Sequence, residues 1–261
     1  NLSIMSGTVD QWLASWIFQR SQVNVTLCMQ HISVLDSCPL QNKSHGEAVK
    51  KIGPHLLKTR DKGSIVKPRD DDSFECCVDA DFCGNWDKLI ASDDPDITRS
   101  RHSFLINHAG IPIYWQFKLQ TQFALSSAKS EFLVLSAAMC CVKSIMCLLE
   151  EIKDKFCKVT VTPMVQCKVF EDNSAALEMA WVPKMHPRIR HINVAHHQFR
   201  SKIANKQLVI RPVNTKLQQA DFLTKACAQE IFEWIHKWVM GWWSGSFVDV
   251  RECGNNKIHL D

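Results

Sequence analysis

Four carboxylates stand at positions where local pattern alone does not account for them. Asp79 lies inside an apolar run, between Val78 and Ala80, where strand propensity disfavours aspartate. Glu131 opens a long stretch of helical periodicity, Asp172 ends an alternating run, and Asp221 stands near the start of a late helix. Singly, each reads as a helix cap or a solvated charge; Asp172 could cap a helix that starts at Asn173. Together they would be costly, because two carboxylates about 4 Å apart repel by roughly 4 kcal/mol at an effective dielectric near 20. Cations remove that cost. Oxygen-only ligands select hard ions, and Mg²⁺ binds through one or two carboxylates plus substrate phosphate. A pair of such ions activates a water and stabilises the leaving oxygen of a phosphodiester.

The elements that would position these acids follow from the hydrophobic pattern. FECCVDADF (74–82), SFLINHA (103–109) and IPIYWQFK (111–118) read as three strands, the last two joined through Gly110. Phe132, Leu135, Met139, Val142, Met146 and Leu149 recur every three or four residues, which predicts an amphipathic helix with a stripe of about five turns. VQCKVF (165–170) is a fourth strand and NSAALEMA the opening of a short helix, closed by Pro183 and Pro187. HINVAHHQFRSKIA (191–204) reads as helical, QLVIRPV (207–213) as a fifth strand, and QQADFLTKA as the start of a final helix. Strands, helix, strand, helices, strand, helix is an α/β order with a mixed sheet. In such a sheet, strand ends and helix starts at one edge share a crevice, where four acids from four elements could meet.

Charge is distributed unevenly along the 261 residues. Lys43 to Arg69 carries eight Lys/Arg against two acids, Asp70 to Asp96 ten acids against one Lys, and Val182 to Lys216 eight Lys/Arg with no acid. A polyanion would dock on the acid-free block and cations on the acidic one; solvated faces are the ordinary alternative. The twelve cysteines include adjacent pairs and no Cys-x-x-Cys, so they are read as reduced core residues of a cytosolic or nuclear protein, not as a disulfide framework or zinc ribbon. No run of eighteen apolar residues predicts a membrane span, and the N-terminus has no signal layout. The chain reads as a fragment of something longer.

CVDADFCGNWD, RSRHSFLINHAGIPIYWQFKLQTQFALSSAKSEFLVLS, VFEDNSAALEMA, RHINVAHHQFR and QQADFLTK, in that order, resemble the ribonuclease H domain of copia-type LTR retrotransposon polyproteins. The resemblance runs from about residue 45 to 242. GEAVKKIGPHLLKTRDKG looks like the connection from the reverse transcriptase, and WVMGW (238–242) like the usual end of such a polyprotein. It implies a ribonuclease H-like five-stranded mixed sheet flanked by helices, with a poorly defined segment at 1–69, the domain at 70–227, a C-terminal helix at 228–242 and a tail at 243–261. It implies catalytic, metal-binding roles for Asp79, Glu131, Asp172 and Asp221, holding two Mg²⁺ ions, or Mn²⁺. Asp79 and Asp172 would share the ions, and Glu131 and Asp221 would complete one each. Glu171 is expected to point to the opposite side and not to be a ligand.

The implied substrate is an RNA–DNA hybrid, recognised by shape and 2′-OH, with Lys184, Arg188, Arg190, Arg200 and Lys202 on its phosphates. The implied partner is the reverse transcriptase portion of the same polyprotein, and the implied place a cytoplasmic virus-like particle or the nucleus; no membrane is involved. Three departures stand out. Lys129 replaces an acid of the family pattern two residues before Glu131. The loop Asn214 to Ala220 has no histidine, whereas His191, His196 and His197 sit on the preceding helix and are read as structural or phosphate-contacting. The segment after Trp242 has no counterpart in the family. Separately, the single tyrosine, Tyr114, rules out a polymerase Tyr-x-Asp-Asp signature. The alternative is a catalytically inactive relic that only binds nucleic acid. A zinc-dependent binding module would need ligand spacing that the sequence does not contain.

Overall fold

The computed structural model describes residues 63–69, 73–84, 98–156, 166–181, 201–225 and 229–242, with a few isolated positions before 98. Five strands form one sheet: β1 (Phe74–Asp81), β2 (Arg101–His108), β3 (Ile111–Leu119), β4 (Cys167–Glu171) and β5 (Leu208–Pro212). Their spatial order is β3-β2-β1-β4-β5. β1 pairs antiparallel with β2, and β2 with β3; β1 and β4, and β4 and β5, are parallel. This is the mixed sheet expected from the sequence. The β2–β3 turn passes through Ala109 and Gly110, both with positive φ, the conformation a tight reversal needs.

Helices flank the sheet: α1 (Ser127–Phe156), α2 (Ser174–Trp181), α3 (Asp221–Thr224) and α4 (Gln229–Val239), with residues 201–204 also helical and a 3-10 turn at Thr215–Leu217. α1 is 30 residues long, well beyond the apolar stripe that announced it. Phe132, Leu135, Met139, Val142 and Met146 of that stripe are buried, and Leu149 packs at its margin. By length and composition α1 could cross a bilayer. Its apolar face is instead occupied by one side of the sheet, against Cys76, Val78 and Ala80 of β1 and Cys167 and Val169 of β4. The alternate residues Cys77 and Phe170 lie in a second cluster with Val213, Leu217 and Ala220, so the period-2 pattern separates two cores.

The final helix of the sequence reading is two helices: α3 stops at Thr224, and α4 begins at Gln229. α3 and α4 share a third cluster, in which Phe222, Leu223, Ile235 and Val239 meet Leu105 of β2. The linker-like stretch at 63–69 is docked on the C-terminal WVMGW segment. Ile65 N donates to Met240 O (2.8 Å), and Trp242 Nε1 donates to Gly63 O (2.7 Å). The expectation that cysteines are core residues holds for Cys76, Cys77 and Cys167, but Cys140 and Cys147 are exposed on the outer face of α1.

Candidate active site

The parallel strands β1 and β4 end side by side, and their last paired residues are Cys77 and Phe170. Beyond that pair the β1 carbonyl of Val78 takes a side-chain donor: Gln218 Nε2 donates to Val78 O at 2.8 Å and to Phe170 O at 3.4 Å. One buried amide thus ties the loop ahead of α3 to both strand ends. Gln219 Oε1 accepts from Asn107 Nδ2 (2.8 Å) and from Cys77 Sγ (3.4 Å), and Ser103 Oγ donates to Ala220 O (2.9 Å). These bonds fix where Asp221 enters. Sequence reasoning quoted the Gln-Gln pair as a motif but gave it no role, since its partners lie from 48 to 142 positions away.

The result is a carboxylate cluster at the C-terminal ends of the parallel strands. Oxygen atoms of Asp79, Asp172 and Asp221 lie within 4.8 Å of one another, and so do those of Glu131, Glu171 and Asp172. All four acids singled out in the sequence are therefore brought to one place, in two triads that share Asp172. Asp172 is common to both triads and Asp79 falls in one of them while also facing Glu131; the sequence reading expected Asp79 and Asp172 to share the ions. The helix-cap alternative for Asp172 does not apply. Asn173 caps α2 instead, its Oδ1 accepting from Ala175 N (3.0 Å) and Ala176 N (3.1 Å).

Glu171 lies closer to the cluster than the sequence reading expected. Strand alternation does direct it away from Asp172, to the face that α1 covers, but α1 brings Glu131 to that same face. Its Oε1 accepts from Asn173 N at 3.0 Å, which curls the side chain around the strand end. It is fully buried and joins Glu131 and Asp172. The second residue that sequence reading missed is Lys225. Its Nζ lies 2.8 Å from Asp79 Oδ1 and 3.0 Å from Asp221 Oδ1. Thr224 Oγ1 donates to the other Asp79 oxygen, Oδ2.

Burial first and like charge second shape the protonation of these groups. Burial, then Asp79, Glu171 and Asp172, push the Glu131 carboxyl up to about 11. Burial pushes Glu171 up to about 8, against the Asn173 amide that favours its charged form. Burial and then Asp79 raise Asp221 to about 8, and the same two causes raise Asp172. Burial works against the Lys225 ammonium, yet Asp79 and then Asp221 outweigh it and hold its pKa above the ordinary lysine range.

The donor set fits divalent cations. It is all oxygen, it concentrates charge where water is largely excluded, and Glu131 Oε2 and Glu171 Oε2 are buried without a hydrogen-bond partner. Among the basic positions assigned to phosphates, Lys184, Arg188, Arg190 and Arg200 lie outside the described residues, as do His191, His196 and His197. Lys202 is described and half-buried. It stands by the start of β5, where Gln207 O accepts from Cys167 N, so it is at the opposite end of β4 from Asp172. Lys129, the departure from the family pattern, is half-buried in the first turn of α1.

The sheet order and the acidic edge define an α/β protein with a five-stranded mixed sheet, flanking helices and a carboxylate site at the strand ends. No family model matches the chain. Among curated proteins it is similar to retrovirus-related Pol polyproteins of transposons. It is 26% identical over 194 residues to the Pol polyprotein from transposon RE1 of Arabidopsis thaliana, covering 74% of this chain and 12% of that protein. It is 28% identical over 191 residues to the one from transposon TNT 1-94 of Nicotiana tabacum, covering 73% and 13%. The chain thus spans about an eighth of the length of these relatives. Among solved structures it is similar to the N-terminal RNase H domain of rv2228c from Mycobacterium tuberculosis (TM-score 0.36, 11% identity, 64% of this chain and 98% of that one). It is also similar to LC11-RNase H1 in complex with RNA/DNA hybrid (TM-score 0.35, 12% identity, 58% and 93%).

Proposed function

We propose that this chain is the ribonuclease H portion of a transposon Pol polyprotein, and that it hydrolyses the RNA strand of RNA–DNA hybrids. The observation that carries the reading is the pair of carboxylate triads sharing Asp172 at the ends of β1 and β4. Two Mg²⁺ ions, or Mn²⁺, bound there would supply an activated water and charge stabilisation at the leaving ribose oxygen. Asp79, Asp172 and Asp221 would hold one side, and Glu131 with Asp172 the other. Buried surroundings strengthen each of these interactions relative to water, and Gln218 keeps the α3 loop from shifting away. Lys184, Arg188, Arg190 and Arg200 are proposed to neutralise hybrid phosphates and Lys202 to touch them only at a distance from the acids.

The test is cleavage of an end-labelled RNA–DNA hybrid in Mg²⁺ by the chain and by Asp172→Asn. Cleavage by the first and loss of at least about a thousandfold in the second is expected; equal cleavage by both would eliminate the assignment. One observation favours a second reading, a relic that binds without cutting: the Lys225 ammonium already neutralises two of the acids. In that case hybrid binding falls steeply with salt, and neither Mg²⁺ nor Mn²⁺ produces cleavage.

A further inference from the structure

The two triads are not electrostatically equivalent. On the Asp79 side, both carboxylate oxygens of Asp79 are engaged, Oδ1 by Lys225 Nζ and Oδ2 by Thr224 Oγ1, and Lys225 also reaches Asp221. A cation bonded into the chain already stands at that triad. On the other side, Glu131 is 5% exposed and Glu171 0% exposed, and each keeps one buried oxygen, Oε2, with no partner. Ion pairs of the described residues reach Asp79 and Asp221 and do not reach Glu131, Glu171 or Asp172. Buried carboxylate oxygens without a hydrogen bond are costly, and Lys225, though it acts on Glu131 and Asp172 through space, forms its ion pairs with Asp79 and Asp221, so a divalent cation gains more at the Glu131–Glu171 oxygens.

We infer that the first divalent ion to bind enters between Glu131, Glu171 and Asp172, with Glu171 as a direct ligand. Lys225 holds the Asp79–Asp221 side against a second ion until that ammonium is drawn away. Glu171 is then the residue that sets first-ion affinity, and Lys225 the one that sets the gap between the two binding steps. Substrate phosphate would oppose the second step less than Lys225 does, because it brings oxygen ligands of its own. The inference rests on the metal-using reading above and adds an order to it.

Mn²⁺ binding to the full chain, counted by electron paramagnetic resonance of the free ion, separates the two. The chain itself is expected to bind one Mn²⁺ appreciably tighter than any other. Glu171→Gln, which keeps the acceptor for the Asn173 amide, is expected to weaken that step by on the order of tenfold or more. Lys225→Met is expected to leave the first step and to tighten the second by a similar factor, while circular dichroism reports a retained fold. Should Glu171→Gln not fold, Glu171→Asp keeps the charge, withdraws the oxygens by one methylene, and carries the same expected weakening. If the chain binds Mn²⁺ and Glu171 variants bind it equally well, the order proposed here is wrong while metal use stands. If Asp221→Asn, and not a Glu171 variant, removes the tight step, the first ion belongs on the other side. If neither the chain nor Lys225→Met binds Mn²⁺, metal use itself is overturned and the order with it.

Discussion

Divalent-ion binding to this cluster should expel protons, and the geometry sets how many. Oxygens of neighbouring acids lie within 4.8 Å, so at an effective dielectric near 20 each ionised neighbour costs about 3.5 kcal/mol. That is equivalent to about 2.5 pH units for one carboxyl, enough to carry a glutamate from its usual value near 4.3 to about 7. The structure agrees in direction and exceeds this minimum, with Glu131 raised to about 11 and Glu171 and Asp221 to about 8. The charged groups facing one another are Asp79 from β1, Glu131 from α1, Glu171 and Asp172 from the end of β4, and Asp221 and Lys225 from α3 and its end. The sign follows directly. Acids whose pKa is raised hold protons at neutral pH, a cation requires the ionised form, and each proton displaced adds one power of ten in affinity per pH unit. The logarithm of the Mn²⁺ or Mg²⁺ association constant should therefore rise between pH 6 and 8 with a slope of at least about one. Titration calorimetry in two buffers of different ionisation enthalpy should show release of at least about one proton per ion at pH 7. Measurable binding with a flat pH profile and no proton release would refute the reasoning, because the acids would then already be ionised and not forced together.

The same linkage predicts stability in chelator. Groups held above their unfolded pKa make the folded state bind more protons, so the unfolding midpoint should fall as pH rises from about 5 to 8, and Glu131→Gln should flatten that decline. Asn173→Ala should cost about 1 kcal/mol in urea unfolding through loss of the α2 cap and leave Mn²⁺ affinity within about twofold, since the cap and the ligand are different residues. Gln218→Ala should cost on the order of 1–3 kcal/mol by leaving buried carbonyls of Val78 and Phe170 without their donor, and should weaken ion binding as Asp221 loses its anchor. Gly241→Ala should lower the thermal midpoint by several degrees: its φ is +71°, and an added Cβ would lie 2.2 Å from the Ile65 carbonyl oxygen.

Local order in this protein is set by nearest neighbours along the chain, and the sequence by itself determined it. Alternation in Cys76, Val78 and Ala80 specifies which side of β1 meets α1, and spacing from Phe132 to Met146 specifies the face that α1 returns. Aspartate inside a buried strand marked Asp79 as a misfit, because only a partner from elsewhere could make such burial tolerable, and the junction of an alternating run with a helix marked Asp172. What surrounds them was decided by tertiary structure alone. Lys225 meets Asp79 from 146 positions away, and Gln218 reaches Val78 from 140. No period in the chain encodes either approach. Glu171 shows the limit most clearly: alternation places it on the face opposite Asp172, and only the packing of α1 there turns that face into the one carrying Glu131.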